Sequence, residues 1–443
     1  MSSMKNAFTV TAAGLLAITA LTACSDPASE PAAKSTETSS WPAPTTSLAG
    51  KSLTIWAAQN STDIPKPVIA GFEKATGAKV EVVTIPDPYE QNVQTKVATG
   101  DKPDLAFWQP TASQLSVLQA KTNLQPMDDA PWLASLDPSV RDITGKLDDT
   151  RYAALVSSPS TEGVFYNKEV FAKAGINSTP KNFAEMVADA KIVKEKTGVA
   201  PFFEAGGDKW MTQWWVQIQL ADVAKDGFWD KVNKNEAKFT DPVVVDAITT
   251  YDKLVKDGLF NKDIKTATFE DQGAALLAGK ASMVVQVDTY RLQLQTRETD
   301  PAALDKKIGF FPISPTGNVA TSIPDQSNAL VAFKTGDDTR TAAARQFLSY
   351  WMGPGYADFV NTAKTVSLEP SVPTPAGVSQ LAIDQNKALS SSVGSFQSLA
   401  VANPDLYLNL ADMLYGKKTP QQVADATQSQ FAQLAKAQGV PGF

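Results

Sequence analysis

The sequence predicts an α/β fold, a parallel sheet with helices on its faces, because apolar strand patterns and amphipathic helix patterns alternate along the chain. The first elements predicted are strand 51–56, helix 68–76, strand 79–85, helix 89–99 and strand 104–108. The two helical patterns stop at Gly77 and Gly100, and glycine is a common signal for the end of a helix. Strand and helix units of this length are typical of parallel sheets.

The alternation continues through the rest of the chain. Further strands are predicted at 164–167, 281–287, 308–311 and 328–333, and further helices at 182–196, 339–352 and 404–443. From Leu48 onward the chain is long enough for two or three domains. Ligands of such sheets bind beyond the carboxyl ends of the strands. The segments after Trp56, Ile85 and Trp108 are therefore the first places to look for a site.

Residues 1–23 have the layout of a secretory signal, with Lys5 ahead of an apolar stretch that is short for a membrane span. Residues 21–24 (LTAC) resemble the bacterial lipobox, and Cys24 is the only cysteine in the chain. We expect cleavage before Cys24 and acylation of its thiol; the alternative is an unpaired thiol. Residues 24–49 are rich in Ser, Thr, Pro, Ala and Glu, so we expect a flexible tether.

The composition argues against several classes of function. Removal of the signal leaves 39 basic and 47 acidic side chains with no concentrated basic patch, so nucleic acid and anionic membrane surfaces are poor partners. The chain has no histidine, and its one cysteine is assigned to lipidation. Zinc and copper sites are therefore not expected, and the sequence predicts no metal and no cofactor.

Six segments carry a family resemblance. In chain order they are LTIW, GFEKATGAKVEV, ATGDKPDLAFW, GVFYNKEVFAKAGI with the following TPKNFAEMVADAKIVKEKTG, LLAGKASMVVQ, and YGKKTPQQVADATQSQF. Together they resemble the extracellular solute-binding proteins of family 1, which serve ATP-binding cassette importers. The resemblance covers nearly all of the chain after the tether.

This resemblance implies a type II periplasmic-binding-protein fold: two α/β lobes, each a sheet flanked by helices, with a ligand cleft between them. Lobe 1 would comprise 50–156 plus 329–375, and lobe 2 would comprise 157–328 plus 376–443. It also implies a monomeric binding protein without catalytic activity, which closes on its solute and docks on a transmembrane permease. The expected solute is a carbohydrate.

A sugar site needs flat aromatic faces and planar polar side chains. Trp108 matches a tryptophan of the family's cleft and ends a predicted strand; the alternative is a core residue. Gln109 could bind a hydroxyl group or cap the next turn. Glu90 could be a cleft acid or a solvated first-turn carboxylate, which the helix dipole favours. Gln59 and Asn60 follow the first strand, which is a suitable position for a binding residue. Their residue types are not specific to sugar binding.

The predicted second lobe offers an aromatic-rich segment at 210–215 (WMTQWW). Trp210 is the favoured cleft residue and Trp214 the second choice, whereas Trp215 is interpreted as core because adjacent helical residues point about 100° apart. Asp208 precedes this segment and could accept hydrogen bonds from hydroxyl groups.

Asp288 and Tyr290 occupy the segment where the family commonly has Asn-Gly-x-Trp, so the chain departs from the pattern there. An aspartate at this point could bind a hydroxyl pair or an amine, which leaves the solute class open. Ser327 and Asn328 lie at a proposed crossing between the lobes and could bind solute or end a loop. Glu369 matches a part of the family close to the cleft.

Two rival interpretations stay open at this stage. An exported glycoside hydrolase would need two opposed carboxylates, but no compact motif organises such a pair. The same fold could instead bind a polyamine, a peptide or a glycerol phosphate. A polyamine pocket would surround an amine with aromatic rings and acids, and Asp208, Asp288 and Glu90 would suit it if they converged.

Overall fold

The computed structural model describes residues 41–86, 89–142, 144–323 and 325–443, without the side chains of Asn60 and Ser139. Residues 41–443 form one compact unit. The predicted signal and the lipidation site at Cys24 lie outside the described residues. Within the described part of the chain, no helix is both long enough and apolar enough to cross a membrane.

The regular elements follow the predicted alternation closely between residues 51 and 86 and between residues 89 and 108. The strands are β1 Ser52–Ala57, β2 Lys79–Thr84, β3 Leu105–Phe107, β4 Lys146–Leu147, β5 Thr150–Arg151, β6 Ala153–Leu155, β7 Ser160–Asn167, β8 Ala200–Phe202, β9 Ala281–Val287, β10 Ile308–Phe311, β11 Thr321–Ile323, β12 Ala329–Ala332 and β13 Val393–Gly394. The helices are α1 Lys66–Thr76, α2 Tyr89–Ala98, α3 Ala112–Val117, α4 Ala120–Asn123, α5 Pro138–Arg141, α6 Lys168–Ala174, α7 Phe183–Thr197, α8 Trp214–Lys225, α9 Phe228–Asn233, α10 Pro242–Lys256, α11 Phe269–Leu277, α12 Tyr290–Gln295, α13 Pro301–Lys307, α14 Asp338–Trp351, α15 Tyr356–Ala363, α16 Gln380–Leu389, α17 Phe396–Leu399, α18 Leu406–Leu414 and α19 Pro420–Ala437.

The first sheet has the strand order β2-β1-β3-β12-β6. Strands β1, β2 and β3 are parallel, as predicted. Strand β12 runs antiparallel to both β3 and β6, so the predicted parallel arrangement does not extend to these strands and the sheet is mixed. The reason is that β12 enters the sheet from the opposite end, after the chain has passed through the second sheet.

The second sheet has the order β13-β11-β7-β9-β8, and β10 also pairs with β7. Its long central strand β7 is antiparallel to β9, β10 and β11, whereas β8 is parallel to β9 and β13 is parallel to β11. This sheet is therefore mixed. We call the first sheet with its helices lobe 1, and the second sheet with its helices lobe 2.

The chain passes between the two sheets at several points. It leaves lobe 1 after Leu155 and enters lobe 2 at Ser160, and it returns between Ile323 and Ala329. The first and second of these segments touch, because the backbone N–H of Val156 donates to the carbonyl of Asn328 at 2.9 Å. A further passage connects α15 of lobe 1 to α16, which packs on β7 and β10 of lobe 2.

Local sequence signals explain the helix ends. The side chain of Asn182 accepts a hydrogen bond from the backbone N–H of Glu185 at the start of α7, and Gly198 ends that helix with a φ of 68°. The helical pattern predicted from 404 onward forms two helices, α18 and α19. They are separated because Gly416 has a φ of 79° and Thr419 opens α19 with a capping box.

The last part of the predicted tether is packed on lobe 1. The ring of Trp41 lies 6.1 Å from that of Trp132 and beneath the guanidinium of Arg345 at 5.1 Å, and its indole N–H donates to Asp129 at 3.0 Å. The backbone N–H of Leu48 donates to the carbonyl of Thr76. The prediction that the flexible tether extends to residue 49 is therefore wrong for 41–49, because Trp41 gives this segment apolar surface to bury.

Candidate functional site

A cavity lies between the lobes, beside the segments where the chain crosses. Its volume is about 600 Å³, within the usual range for small-molecule sites. It is lined from lobe 1, from lobe 2 and from the crossings by residues within the segments 63–67, 157–161, 288–301, 327–328, 359–366 and 377–386. A solute in this cavity would contact both lobes at once.

Three of the predicted site residues line this cavity: Asp288, Ser327 and Asn328. Asn328 is 7% exposed, and its side-chain amide donates to the hydroxyl of Ser157 at 2.9 Å. Its Oδ1 atom is buried and has no hydrogen-bond partner among the described residues. The backbone N–H of Ser327 donates to Asp325, which fixes the turn that presents Asn328.

Asp288 stands at the end of the buried strand β9, just before α12. The residue is partly exposed as a whole, but its Oδ1 atom is buried without a partner in the described chain. Burial raises the pKa of Asp288 to about 6, against the opposing effects of the nearby Ser160 hydroxyl and the Arg291 guanidinium. At neutral pH the group is therefore mostly a carboxylate, which accepts hydrogen bonds from hydroxyl groups.

Sequence reasoning missed most of the polar wall. Ser157, Ser158, Ser160 and Thr161 line the cavity from the first crossing, and Gln385 and Asn386 line it from α16. The hydroxyl of Ser158 donates to the side-chain oxygen of Asn386 at 2.7 Å, although 228 positions separate them in sequence. The run SSPST between two apolar strands was the available signal, since four hydroxyl side chains at a crossing must lie near any site between the lobes.

Glu90 and Gln109 are brought together, but away from this cavity. The amide of Gln109 donates to Oε1 of Glu90 at 3.0 Å, so the segments that follow β2 and β3 meet at the same edge of the sheet. Gln59 is exposed in the turn after β1, and the side chain of Asn60 is outside the description. Glu90, Gln109 and Gln59 are not in the lining of the cavity between the lobes.

Trp108 belongs to the core of lobe 1, not to the cavity. Its side chain is fully buried, its ring lies 6.3 Å from that of Tyr89, and its indole N–H donates to the carbonyl of Gln114 at 3.1 Å. The strand β3 ends at Phe107, and the side chain of Trp108 points into the lobe instead of toward the cavity. The expected stacking platform is therefore absent at this position.

The aromatic segment of lobe 2 also lies outside the cavity lining. Trp214 is buried, Trp210 is half-buried, and their rings are 6.0 Å apart. Asp208 is exposed, and its carboxylate accepts a hydrogen bond from the backbone N–H of Phe269 at 2.7 Å. Asp208 and Trp210 therefore contact Phe269 at the start of α11, and Trp214 packs against Trp210.

Tyr290 and Glu369 are also placed elsewhere. Tyr290 is fully buried, with its ring 5.0 Å from that of Phe165 and 5.6 Å from that of Phe269. Tyr290 is the first residue of α12, and its side chain points into the lobe 2 core. Glu369 is 7% exposed, and burial raises its pKa, but it lies outside the cavity lining.

The charge of the cavity is balanced. The charged residues that line it are Asp63, Asp288, Arg291 and Lys364. Within the part of the chain that the structure describes, no group of three or more acidic, histidine or cysteine side chains could hold a metal ion. The cavity therefore offers hydroxyl and amide groups with one acid and one guanidinium in its inner wall, an arrangement suited to a neutral polar solute.

Comparison with known proteins agrees with this architecture. The diacetylchitobiose binding protein of Streptomyces coelicolor is 28% identical over 276 residues, which are 60% of this chain and 61% of that protein. The alpha-glucosides-binding periplasmic protein of Rhizobium meliloti is 28% identical over 246 residues, 52% of this chain and 51% of that protein. The chain thus aligns with less than two thirds of the length of these relatives.

A solved chitin oligosaccharide binding protein has the same fold, with a TM-score of 0.71 at 19% identity over 87% of this chain and 99% of that one. This confirms the predicted two-lobed periplasmic-binding-protein fold. The family model described as bacterial extracellular solute-binding protein matches residues 58–358, which is more than half of the chain. The protein therefore belongs to the bacterial extracellular solute-binding proteins.

Proposed function

We propose that this protein captures a carbohydrate, a mono- or oligosaccharide, in the cavity between its lobes and delivers it to the permease of an ATP-binding cassette importer. The observation that carries the proposal is the cavity itself: about 600 Å³, lined by both lobes, rich in hydroxyl and amide groups and balanced in charge. The names of the two relatives, which bind diacetylchitobiose and alpha-glucosides, support a sugar.

The charge balance argues against a polyamine and a glycerol phosphate. A polyamine would place its positive charges beside Arg291 and Lys364, and a glycerol phosphate would place its negative charge beside Asp63 and Asp288. Each of these charged solutes would gain from one pair and lose to the other. A neutral polyhydroxyl solute can use all four groups, because hydroxyl groups both donate and accept hydrogen bonds.

Transport requires the two lobes to act together. A solute that contacts lobe 1, lobe 2 and the crossings favours the arrangement in which all three surround it, so binding shifts the population toward the closed form. The proposed lobe limits are 50–156 plus 329–375 and 157–328 plus 376–443. We propose that the closed monomer is the form that docks on the permease.

A thermal-shift panel tests the proposal. A solute that binds only the folded protein stabilises it by about 2.7 kcal/mol at 100 times its Kd, so a cognate sugar should raise Tm in a concentration-dependent way. Neutral mono- and oligosaccharides would be compared with spermidine, short peptides and glycerol 3-phosphate. A shift with one of the last three and none with any sugar would overturn the carbohydrate proposal.

We also propose that the protein is exported and held at the membrane by acylation of Cys24. The support is the sequence alone: a signal-like segment at 1–23 that ends in LTAC. A Cys24→Ala variant should be released from the membrane fraction of the expressing cells, while a Ser25→Ala variant should stay with it. Equal membrane retention of both variants would contradict the anchor.

A further inference from the structure

Two oppositely charged residues lie one helical turn apart on the lobe 2 wall of the cavity. The backbone N–H of Arg291 donates to the carbonyl of Asp288 at 3.0 Å, and both residues line the cavity. The guanidinium is held in place because its Nη1 donates to Oε1 of Gln295 at 3.1 Å. The wall therefore carries one carboxylate and one oriented guanidinium within one helical turn.

Each of the two side chains has one polar atom that makes no hydrogen bond within the described part of the chain. Oδ1 of Asp288 and Nε of Arg291 are both buried, and neither has a hydrogen-bond partner in the described part of the chain. Leaving a buried polar atom unpaired costs about 1–3 kcal/mol, and more for a charged group. A solute in the cavity that hydrogen-bonds to these atoms would remove this cost, and so would a bridging water molecule.

A third unpaired group faces the same cavity from α16. Gln385 is 3% exposed, lines the cavity, and has neither Oε1 nor Nε2 paired among the described residues. Its backbone carbonyl accepts a hydrogen bond from the hydroxyl of Thr161, which fixes this part of α16 against the first crossing. Donor and acceptor atoms that await partners thus come from α16 as well as from the lobe 2 wall.

We infer that Asp288 and Arg291 together bind two adjacent hydroxyl groups of the solute, with Asp288 accepting from one and Arg291 donating to the other. This rests on the proposed function and narrows it to neutral sugars that present a free vicinal diol to lobe 2. Gln385 binds a further hydroxyl from α16. Hydrogen bonds that involve a charged partner are the strong ones, so this pair selects among sugars more sharply than the serine hydroxyls do.

Removing one member of the pair should cost more than its own hydrogen bond. In Asp288→Asn the guanidinium loses its compensating charge, and in Arg291→Gln the carboxylate does. Each single variant should bind the cognate sugar roughly 10- to 100-fold more weakly, from the loss of a charge-assisted hydrogen bond. The double variant should lose less affinity than the product of the two single losses. Its loss should be close to that of the more affected single variant, since the two residues act as a unit.

The experiment is isothermal titration calorimetry with the neutral sugar that gives the largest thermal shift. The wild-type protein, Asp288→Asn, Arg291→Gln and the double variant are compared with Arg297→Gln and Asp246→Asn, whose side chains lie outside the cavity lining. Circular dichroism and Tm confirm that each variant is folded. Monodeoxy derivatives of the same sugar are titrated into the wild-type protein, which tests the diol without any substitution.

The expected result is a loss of affinity in both single variants, none in the two controls, and a comparable loss for two monodeoxy sugars that lack neighbouring hydroxyls. If a sugar binds but both variants stay within about twofold of the wild type, the diol inference fails and the proposed function stands. If every monodeoxy sugar binds as well as the parent, the inference also fails. If no sugar binds at all, both the inference and the proposed function fail.

Discussion

Replacing Trp108 with alanine distinguishes a core residue from a sugar-stacking residue at the position that the sequence favoured for the site. The side chain is fully buried, contacts Tyr89 and donates its indole N–H to Gln114. Truncation of a buried tryptophan costs about 3–5 kcal/mol of folding free energy. Because the ring lies outside the cavity lining, we expect the folded fraction to keep its affinity for sugar within about twofold.

A second substitution separates the hydrogen-bond contribution of Trp108 from the packing contribution of its ring. Trp108→Phe keeps an aromatic ring against Tyr89 but removes the indole N–H that donates to the carbonyl of Gln114. That carbonyl still accepts from the backbone N–H of Leu118, so we expect a loss of only about 1 kcal/mol from the hydrogen bond. Trp210→Ala is the matched control in lobe 2, because its ring is only half-buried and its loss should cost less than that of Trp108.

The assays are urea unfolding followed by circular dichroism, and calorimetric titration of the cognate sugar into folded protein. Linear extrapolation gives the free energy of unfolding of each variant, and an unchanged slope shows that the folded state is still compact. A stability loss below about 1 kcal/mol for Trp108→Ala, together with an affinity loss of tenfold or more, would refute the core assignment.

Two further predictions concern stability. Burial raises the pKa of Glu204 from 4.5 to about 7, so between these pH values the folded protein keeps a proton that the unfolded chain loses, and stability should fall by up to about 3 kcal/mol as pH rises. Glu204→Gln should make the slope of unfolding free energy against pH shallower over this range; an unchanged slope would contradict the assignment. Trp41→Ala should lower stability by about 2 kcal/mol, because it removes an aromatic pair, a cation–π contact and a hydrogen bond. A lower Tm and faster proteolysis near residue 41 would support this prediction. A Tm and a proteolysis rate equal to those of the wild type would show that Trp41 does not hold residues 41–49 on lobe 1.

The sequence by itself determined the order of elements and the family. Strand β1, helix α1, strand β2 and helix α2 follow from apolar periodicity and from glycines at the helix ends, because these are local properties of the chain. The six ordered motifs predicted the two-lobed fold, which the structural comparison confirmed. The departure from the family pattern at Asp288 was also visible in the sequence, and that residue does line the cavity.

Only the tertiary structure decided which polar side chains reach the cavity. Ser158 meets Asn386 from 228 positions away, and no local pattern encodes a contact between two segments that cross between lobes. Trp108 and Tyr290 have suitable residue types at suitable strand ends, yet both rings turn inward, because one step along the backbone changes the direction of a side chain. Periodicity places an element in a layer, whereas the identity of the binding residues depends on how two separately built sheets face each other.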